Sequence, residues 1–154
     1  MAAIDIQTLI DRAAISDVVI AYATAVDTRD WDLLRSLFTD HVFYDFRTFD
    51  PDLYAEISVD ELVERAMKLA AFDSTQHISS NHRHTIVGDR ATCVSYMQAS
   101  HFLARDGESS HCILYGFYTN DLVRTGQGWK IDRYALTVTG QTGDPRVFEW
   151  AGFF

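Results

Sequence analysis

Asp27 and His77 are the residues of this sequence whose types and surroundings point most directly to chemistry. Asp27 stands near the end of an apolar helical stripe, one residue after Val26 and five after Tyr22, where a purely structural design would place another hydrophobe. A carboxylate turned toward a core needs a partner, because an unpaired buried charge is very costly. Turned outward, Asp27 merely starts the Thr28-Arg29-Asp30 turn as an exposed helix-end residue. His77 begins the first long strand and is the natural partner. A carboxylate orients an imidazole and stabilises its charged form, and the pair makes a competent general base near neutral pH. On its own, His77 also reads as a solvent-facing strand residue. His101, in Ala99-Ser100-His101-Phe102, lies in the next strand, and register decides whether it joins them. A two-residue Gly88-Asp89 turn pairs His77 with Ser100 and sends His101 to the other face. A three-residue loop that includes Arg90 sets His77 opposite His101.

Other motifs carry less. His82 and His84 form an H-x-H pair, a spacing some metal sites use. Their parity is opposite to that of His77 and no HExxH or nearby carboxylate completes a ligand set, so they read as solvated strand histidines and no metal is expected. His41 and His111 have no motif context. Gly-x-Gly-x-x-Gly after a strand, the P-loop and the Gly-x-Ser-x-Gly elbow are all missing, which leaves nucleotide, phosphoryl and serine-hydrolase chemistry without their usual signatures. Proton transfer remains.

The elements that must position these residues divide into two halves. Ile6, Leu9, Ile10, Ala13, Ala14, Val18, Val19, Tyr22 and Val26 fall on one 3.6-period stripe. Asp30 can cap a second helix with Leu33, Leu34, Leu37 and Phe38 inward, and a strand is predicted from Val42 to Phe46. Pro51 marks a loop, after which Ser58-Val59-Asp60-Glu61 is a capping box opening a third helix with Leu62, Val63, Ala66, Leu69 and Ala70 inward. From Thr75 the period changes to two, and turn signals at Gly88-Asp89, Asp106-Gly107 and Gly126-Gln127-Gly128 separate runs at about 76–87, 90–105, 110–125 and 129–139. Such long antiparallel strands must curve, which predicts an α+β fold: a cone-shaped antiparallel sheet wrapped around N-terminal helices. The tail from Val147 to Phe154 is too apolar to be left in water. It is expected to plug the open end of the sheet or to pack on a neighbouring subunit.

Composition sets the outer limits. A chain of 154 residues, 47% hydrophobic, fits one domain spanning 1–154. Cys93 and Cys112 lack CxxC spacing and sit in apolar runs, as buried reduced thiols do, which suits the cytoplasm. Met1-Ala2-Ala3-Ile4-Asp5 has no leader pattern, and no stretch approaches transmembrane length, so no membrane role is expected. A formal charge of −9 without a basic cluster argues against nucleic acid. The 3 Trp, 7 Tyr and 10 Phe exceed what a small core usually needs, and hint either at a pocket for an apolar ligand or at an aromatic core or subunit interface. Open sheet faces and the apolar tail lead us to expect a homo-oligomer, dimer or trimer.

On Asp11-Arg12-Ala13-Ala14-Ile15, the run from Tyr22 to Asp32, Thr75-Gln76-His77, Gly88-Asp89-Arg90-Ala91-Thr92 and Gly128-Trp129-Lys130-Ile131, the chain resembles the SnoaL-like branch of the cone-shaped α+β barrels that include ketosteroid isomerase and scytalone dehydratase. The resemblance covers nearly the whole chain. Scytalone dehydratase is similar around Asp27, at Tyr44-Asp45-Phe46-Arg47-Thr48-Phe49, at Thr75-Gln76-His77 and at His101, but its two catalytic tyrosines fall here on Val26 and Phe46, which argues against scytalone as substrate. Bile-acid 7α-dehydratase and hexachlorocyclohexane dehydrochlorinase also resemble the chain, and the Asp–His pair they use matches Asp27 and His77. A functional tyrosine of the former matches Tyr22. The resemblance implies a lyase without metal or organic cofactor, eliminating water from a small apolar hydroxylated polyketide, steroid or aromatic-type molecule. In it His77 is the base, Asp27 its support, His101 or Tyr22 the group on the departing oxygen, and Tyr44, Phe46 and Tyr118 part of the pocket wall. The same base could instead serve an isomerase or cyclase. Small subunits of aromatic-ring dioxygenases share the cone and act with a large partner, so fold alone does not fix the reaction.

Overall fold

The computed structural model describes residues 5–154. The Met1–Ile4 segment, read above as lacking a leader, lies outside the described residues. Among those described, no helix is long and apolar enough to cross a membrane.

The chain runs α1 (Ile6–Thr28), α2 (Trp31–Ser36), β1 (Phe38–Asp45), β2 (Tyr54–Ser58), α3 (Val59–Met67), a 3-10 turn (Lys68–Ala71), β3 (Ser74–Val87), β4 (Arg90–Arg105), β5 (Glu108–Thr125), β6 (Gly128–Gly143) and α4 (Arg146–Trp150). The expected caps are in place. Asp30 Oδ1 accepts from Leu33 N at 2.9 Å, and Ser58 Oγ accepts from Glu61 N at 3.1 Å. Only half of the capping box forms, because the Glu61 carboxylate turns instead to Arg65.

The six strands make one curved sheet in the order β2-β1-β6-β5-β4-β3. The four long strands form the antiparallel meander read from the sequence, but β1 pairs with β6 in parallel, so the sheet is mixed and its edges stay unclosed. Two features escape period-two reasoning here. Tyr54–Ser58 is a short strand with three exposed residues, and the parallel pairing joins segments about ninety positions apart.

The helical stripe also needs correction. Ile6, Leu9 and Ile10 are exposed, while Asp11, Ile15, Val19, Ala25 and Val26 are buried. α1 is apolar nearly all round, so periodicity could not choose its inner face, and the contact that does is polar. Arg124 donates from both terminal nitrogens to the two Asp11 oxygens, at 2.8 and 2.7 Å, and Trp129 Nε1 adds a third bond at 3.2 Å. Chiefly through the Arg124 hydrogen bonds, the Asp11 carboxyl is held at about 2.

Ile15, Val26, Leu34, Phe38, Val42, Leu122, Ile131 and Val147 fill the space between helices and sheet and are completely or almost completely buried. The tail folds back within its own chain: Val147 and Phe148 are buried, and Phe148 packs on Phe72 and Phe49. The outer sheet face keeps Ile78, Tyr96, Phe102 and Tyr115 partly exposed. Bulges bend the long strands, and one sits at Tyr115/Gly116. A Cβ on Gly116 would lie 1.8 Å from the Thr137 carbonyl oxygen. Gly116→Ala should therefore cost about 1–3 kcal/mol, as other overpacked sites do, read as a lowered urea midpoint at constant m. An unchanged midpoint would show that β5 and β6 separate freely at this point.

Candidate active site

A bulge at Asn81 decides which strand residues share the site. The β3–β4 turn is the two-residue Gly88-Asp89 form, with Val87 paired to Arg90, but Asn81 adopts a left-handed conformation with φ 53° and the register slips between Ser80 and Arg83. His77 therefore faces Ala99, and His101 pairs with Thr75, which is neither of the two registers considered from the sequence. Ala99 and His101 share a face, so the two histidines are diagonal neighbours with ring centroids 5.6 Å apart.

Asp27 reaches the same place from the last turn of α1. Its Oδ1 lies 2.7 Å from His77 Nδ1 and accepts from Thr75 Oγ1 at 2.8 Å, while its Oδ2 accepts from His77 backbone N–H at 2.7 Å. Arg29, left-handed at the helix C-cap with φ 61°, donates to Thr75 Oγ1 at 2.9 Å and to the Val26 carbonyl at 2.5 Å. Arg29 and Thr75 belong to the motifs quoted for the resemblance, but their positioning role depends on the fold that joins α1 to β3. Burial pushes the Asp27 carboxyl up, yet the hydrogen bonds from the His77 ring, the His77 backbone and Thr75 outweigh it, and the carboxyl sits below its ordinary value. An ionised Asp27 can only accept, which places a proton on His77 Nδ1 and leaves Nε2 as the nitrogen that can take up or release the other proton.

His77 forms part of the wall of an apolar cavity enclosing about 640 Å³, its open mouth included. Tyr22, Tyr44, Phe46, His101 and Tyr118 line it as well, so the structure gathers these sequence-selected residues around one space; Asp27 stands behind His77 rather than in the wall. Burial raises the Tyr22 and Tyr118 hydroxyls above their ordinary value, so both stay protonated donors. Burial lowers His101 to about 3, and repulsion from His77 when that ring is protonated adds to the effect, so at neutral pH His101 is a neutral imidazole and not an acid. Its Nδ1 is buried without a hydrogen-bond partner. The tail completes the enclosure, with Phe153 in the wall and Phe148 4.7 Å from the His101 ring.

Tyr134 is a wall residue the sequence reading missed. Counting by two from Trp129 and Ile131 puts Arg133 inside, but a register shift leaves Asp132 unpaired and turns Tyr134 inward. Its ring sits 4.8 Å from that of Tyr22 and 5.3 Å from that of Tyr118. The neighbouring hydroxyls interact with its oxygen, but no hydrogen bond of good geometry reaches it. Arg65, on α3, was missed too.

The Asn81 bulge also overturns the parity argument about His82 and His84, which share the inner side with His77. Ser16 Oγ lies 2.8 Å from His84 Nε2 and 3.0 Å from His82 Nδ1, and Ser79 Oγ lies 3.0 Å from His82 Nε2. With Cys93, these residues bring three possible ligand atoms within 4.8 Å of one another. Three of the four ring nitrogens are already hydrogen-bonded. Burial and the Arg12 charge disfavour positive charge at His84, and burial holds the Cys93 thiol at about 11. We describe the cluster as a hydrogen-bonded seam joining α1 to the sheet.

Comparison with known families agrees with the fold. Residues 7–135 match the SnoaL-like domain, and the chain belongs to that family. Its fold superposes on a Kribbella flavida protein, Kfla4162, with TM-score 0.82 and 30% identity over 90% of this chain and 95% of the other. A Novosphingobium aromaticivorans protein provisionally named an aromatic ring hydroxylase matches with TM-score 0.77 and 28% identity, over 93% and 97% of the two chains. Another from that organism, provisionally named a scytalone dehydratase, matches with TM-score 0.75 and 25% identity, over 88% and 89%. No protein of curated function matches by sequence.

Proposed function

We propose that the protein is a lyase that removes a proton from carbon and expels water from a small, largely apolar, hydroxylated ring compound. The observation that carries this reading is the His77 ring, held through Nδ1 by an ionised Asp27 and presenting Nε2 in an apolar cavity. The provisional dehydratase name of one structural relative is consistent with it.

In the proposed reaction Nε2 takes a proton from a carbon next to a carbonyl, and the C–H electron pair becomes an enolate. Collapse of the enolate forms the C=C bond and breaks the neighbouring C–O bond. The imidazolium proton passes to the departing hydroxyl, which leaves as water, and His77 returns to its starting state. Tyr22 and neutral His101 serve as hydrogen-bond donors to the developing oxygen charge, since His101 cannot supply a proton as an imidazolium at neutral pH. Each step is a proton transfer or a bond rearrangement within the substrate, so the proposed chemistry asks for no cofactor.

The test is product analysis by mass spectrometry on a panel of β-hydroxy ring ketones. Loss of one water in the presence of the protein, above the rate in buffer, is the expected result. A product of unchanged mass would replace the lyase with an isomerase using the same base, and no change across the panel would favour a binding or assembly role.

A further inference from the structure

Arg65 is the one guanidinium in the cavity wall, among the described residues, and its hydrogen bonding is incomplete. α3 fixes its position: Ser58 caps the helix, Val59 and Leu62 are buried, and Arg65 lies in the last turn. Nη2 donates to Glu61 Oε1 at 2.7 Å, one helical turn back, and the guanidinium carbon sits 5.2 Å from the centre of the Tyr44 ring. Nη1 is buried and has no partner.

A buried N–H without an acceptor costs free energy that a ligand oxygen would recover. The choice of oxygen follows from charge. Glu61 already compensates the guanidinium, so a second carboxylate would be drawn to Arg65 but repelled by Glu61. One N–H of Nη2 is also spent on Glu61, so a second carboxylate would share the remaining donors with a carboxylate already in place. A neutral carbonyl oxygen needs only the free donor and meets no such repulsion.

We propose that Arg65 Nη1 recognises a neutral carbonyl oxygen, so that the cavity selects ring ketones over ring carboxylates of the same shape. This rests on the reading of the cavity as a substrate site and adds to it the group that recognises the substrate's carbonyl and the selection against carboxylates.

The experiment is calorimetric titration of the full chain with 2-tetralone, tetralin and tetralin-2-carboxylate, none of which carries a leaving group. The wild type should bind the ketone roughly tenfold or more tightly than the hydrocarbon, as expected for a hydrogen bond to a charged donor. It should bind the carboxylate more weakly than the ketone. Arg65→Met should cut the ketone preference, read as the ratio of ketone to tetralin affinity within each protein, to about twofold or less. Glu61→Gln should improve carboxylate binding relative to ketone. A ketone preference that survives Arg65→Met overturns the proposal, as does a carboxylate that outbinds the ketone while Glu61 is present. Because the second comparison uses unaltered protein, it decides the matter even if a variant fails to fold. Deuterium uptake at the α-carbon of 2-tetralone in D2O, measured alongside, tests the His77 base separately. Its absence would remove the proton-transfer reading and leave the binding comparison standing.

Discussion

Asp27→Asn and His77→Ala are each expected to lower kcat by about 10²- to 10⁴-fold on any substrate of the panel, the usual contribution of a positioned general base. His77→Ala removes the base itself. Asp27→Asn removes the ionised acceptor that keeps the proton on Nδ1, so Nε2 is no longer held unprotonated toward the cavity. The double variant should fall little below the poorer single one, because the residues act as a unit and their losses do not add. Thr75→Val deletes one of three hydrogen bonds to Asp27 and should give a smaller, intermediate loss. Unchanged circular dichroism would separate these effects from misfolding. Multiplicative losses in the double variant would mean that the two residues serve different steps, and the dyad would have to be abandoned.

The site was readable in the sequence to the extent that local pattern determines position. Asp27 stood out because a carboxylate interrupted an apolar stripe, and His77 because a strand began there. Whether His101 faced the same space was a question of register. The sequence posed it as two-residue against three-residue turn, but the answer lay in Asn81, whose left-handed conformation inserts a residue within the strand. One bulge brought His101 beside His77 and turned His82 and His84 inward. A second, at Asp132, exchanged Arg133 for Tyr134 in the wall. Bulges leave little trace in a hydrophobic pattern because they change parity without changing composition.

Arg65 was hidden for a different reason. On α3 it follows Glu61 by four residues, the spacing of an ordinary surface ion pair, and that pair does form. Only the packing of α3 against β1 and α2 shows that one end of the guanidinium lies inside. α1 gave the converse case. Its first apolar residues are exposed and its inner face is fixed by Asp11, Arg124 and Trp129, so the polar residues of Asp11-Arg12 were more informative than the hydrophobic stripe.

His101 should make the fold lose stability on mild acidification. Its pKa, about 3 in the folded protein, lies below the roughly 6.5 of an unfolded histidine, chiefly because the ring is buried, with repulsion from a protonated His77 second. Below about pH 6.5 the unfolded chain takes up a proton that folded His101 refuses until about pH 3. Across that window the unfolded state binds more protons, so stability falls as pH falls and is regained as pH rises. Asp11 and Asp27 have the opposite displacement, and their stabilisation is lost only as pH drops below about 4, so they contribute little to a comparison between pH 7 and 4. His82 and His84 are also lowered by burial and act within the window, but they are common to wild type and variant and cancel. His101→Leu replaces the imidazole with an apolar side chain between Phe72 and Phe148. From urea unfolding at the two pH values, the wild type should lose on the order of 3 kcal/mol more than His101→Leu on going from pH 7 to pH 4. Equal losses would mean that His101 takes up its proton in the folded protein at ordinary pH. Its assignment as a neutral hydrogen-bond donor would then fail, and the departing oxygen could receive its proton from His101 instead of His77.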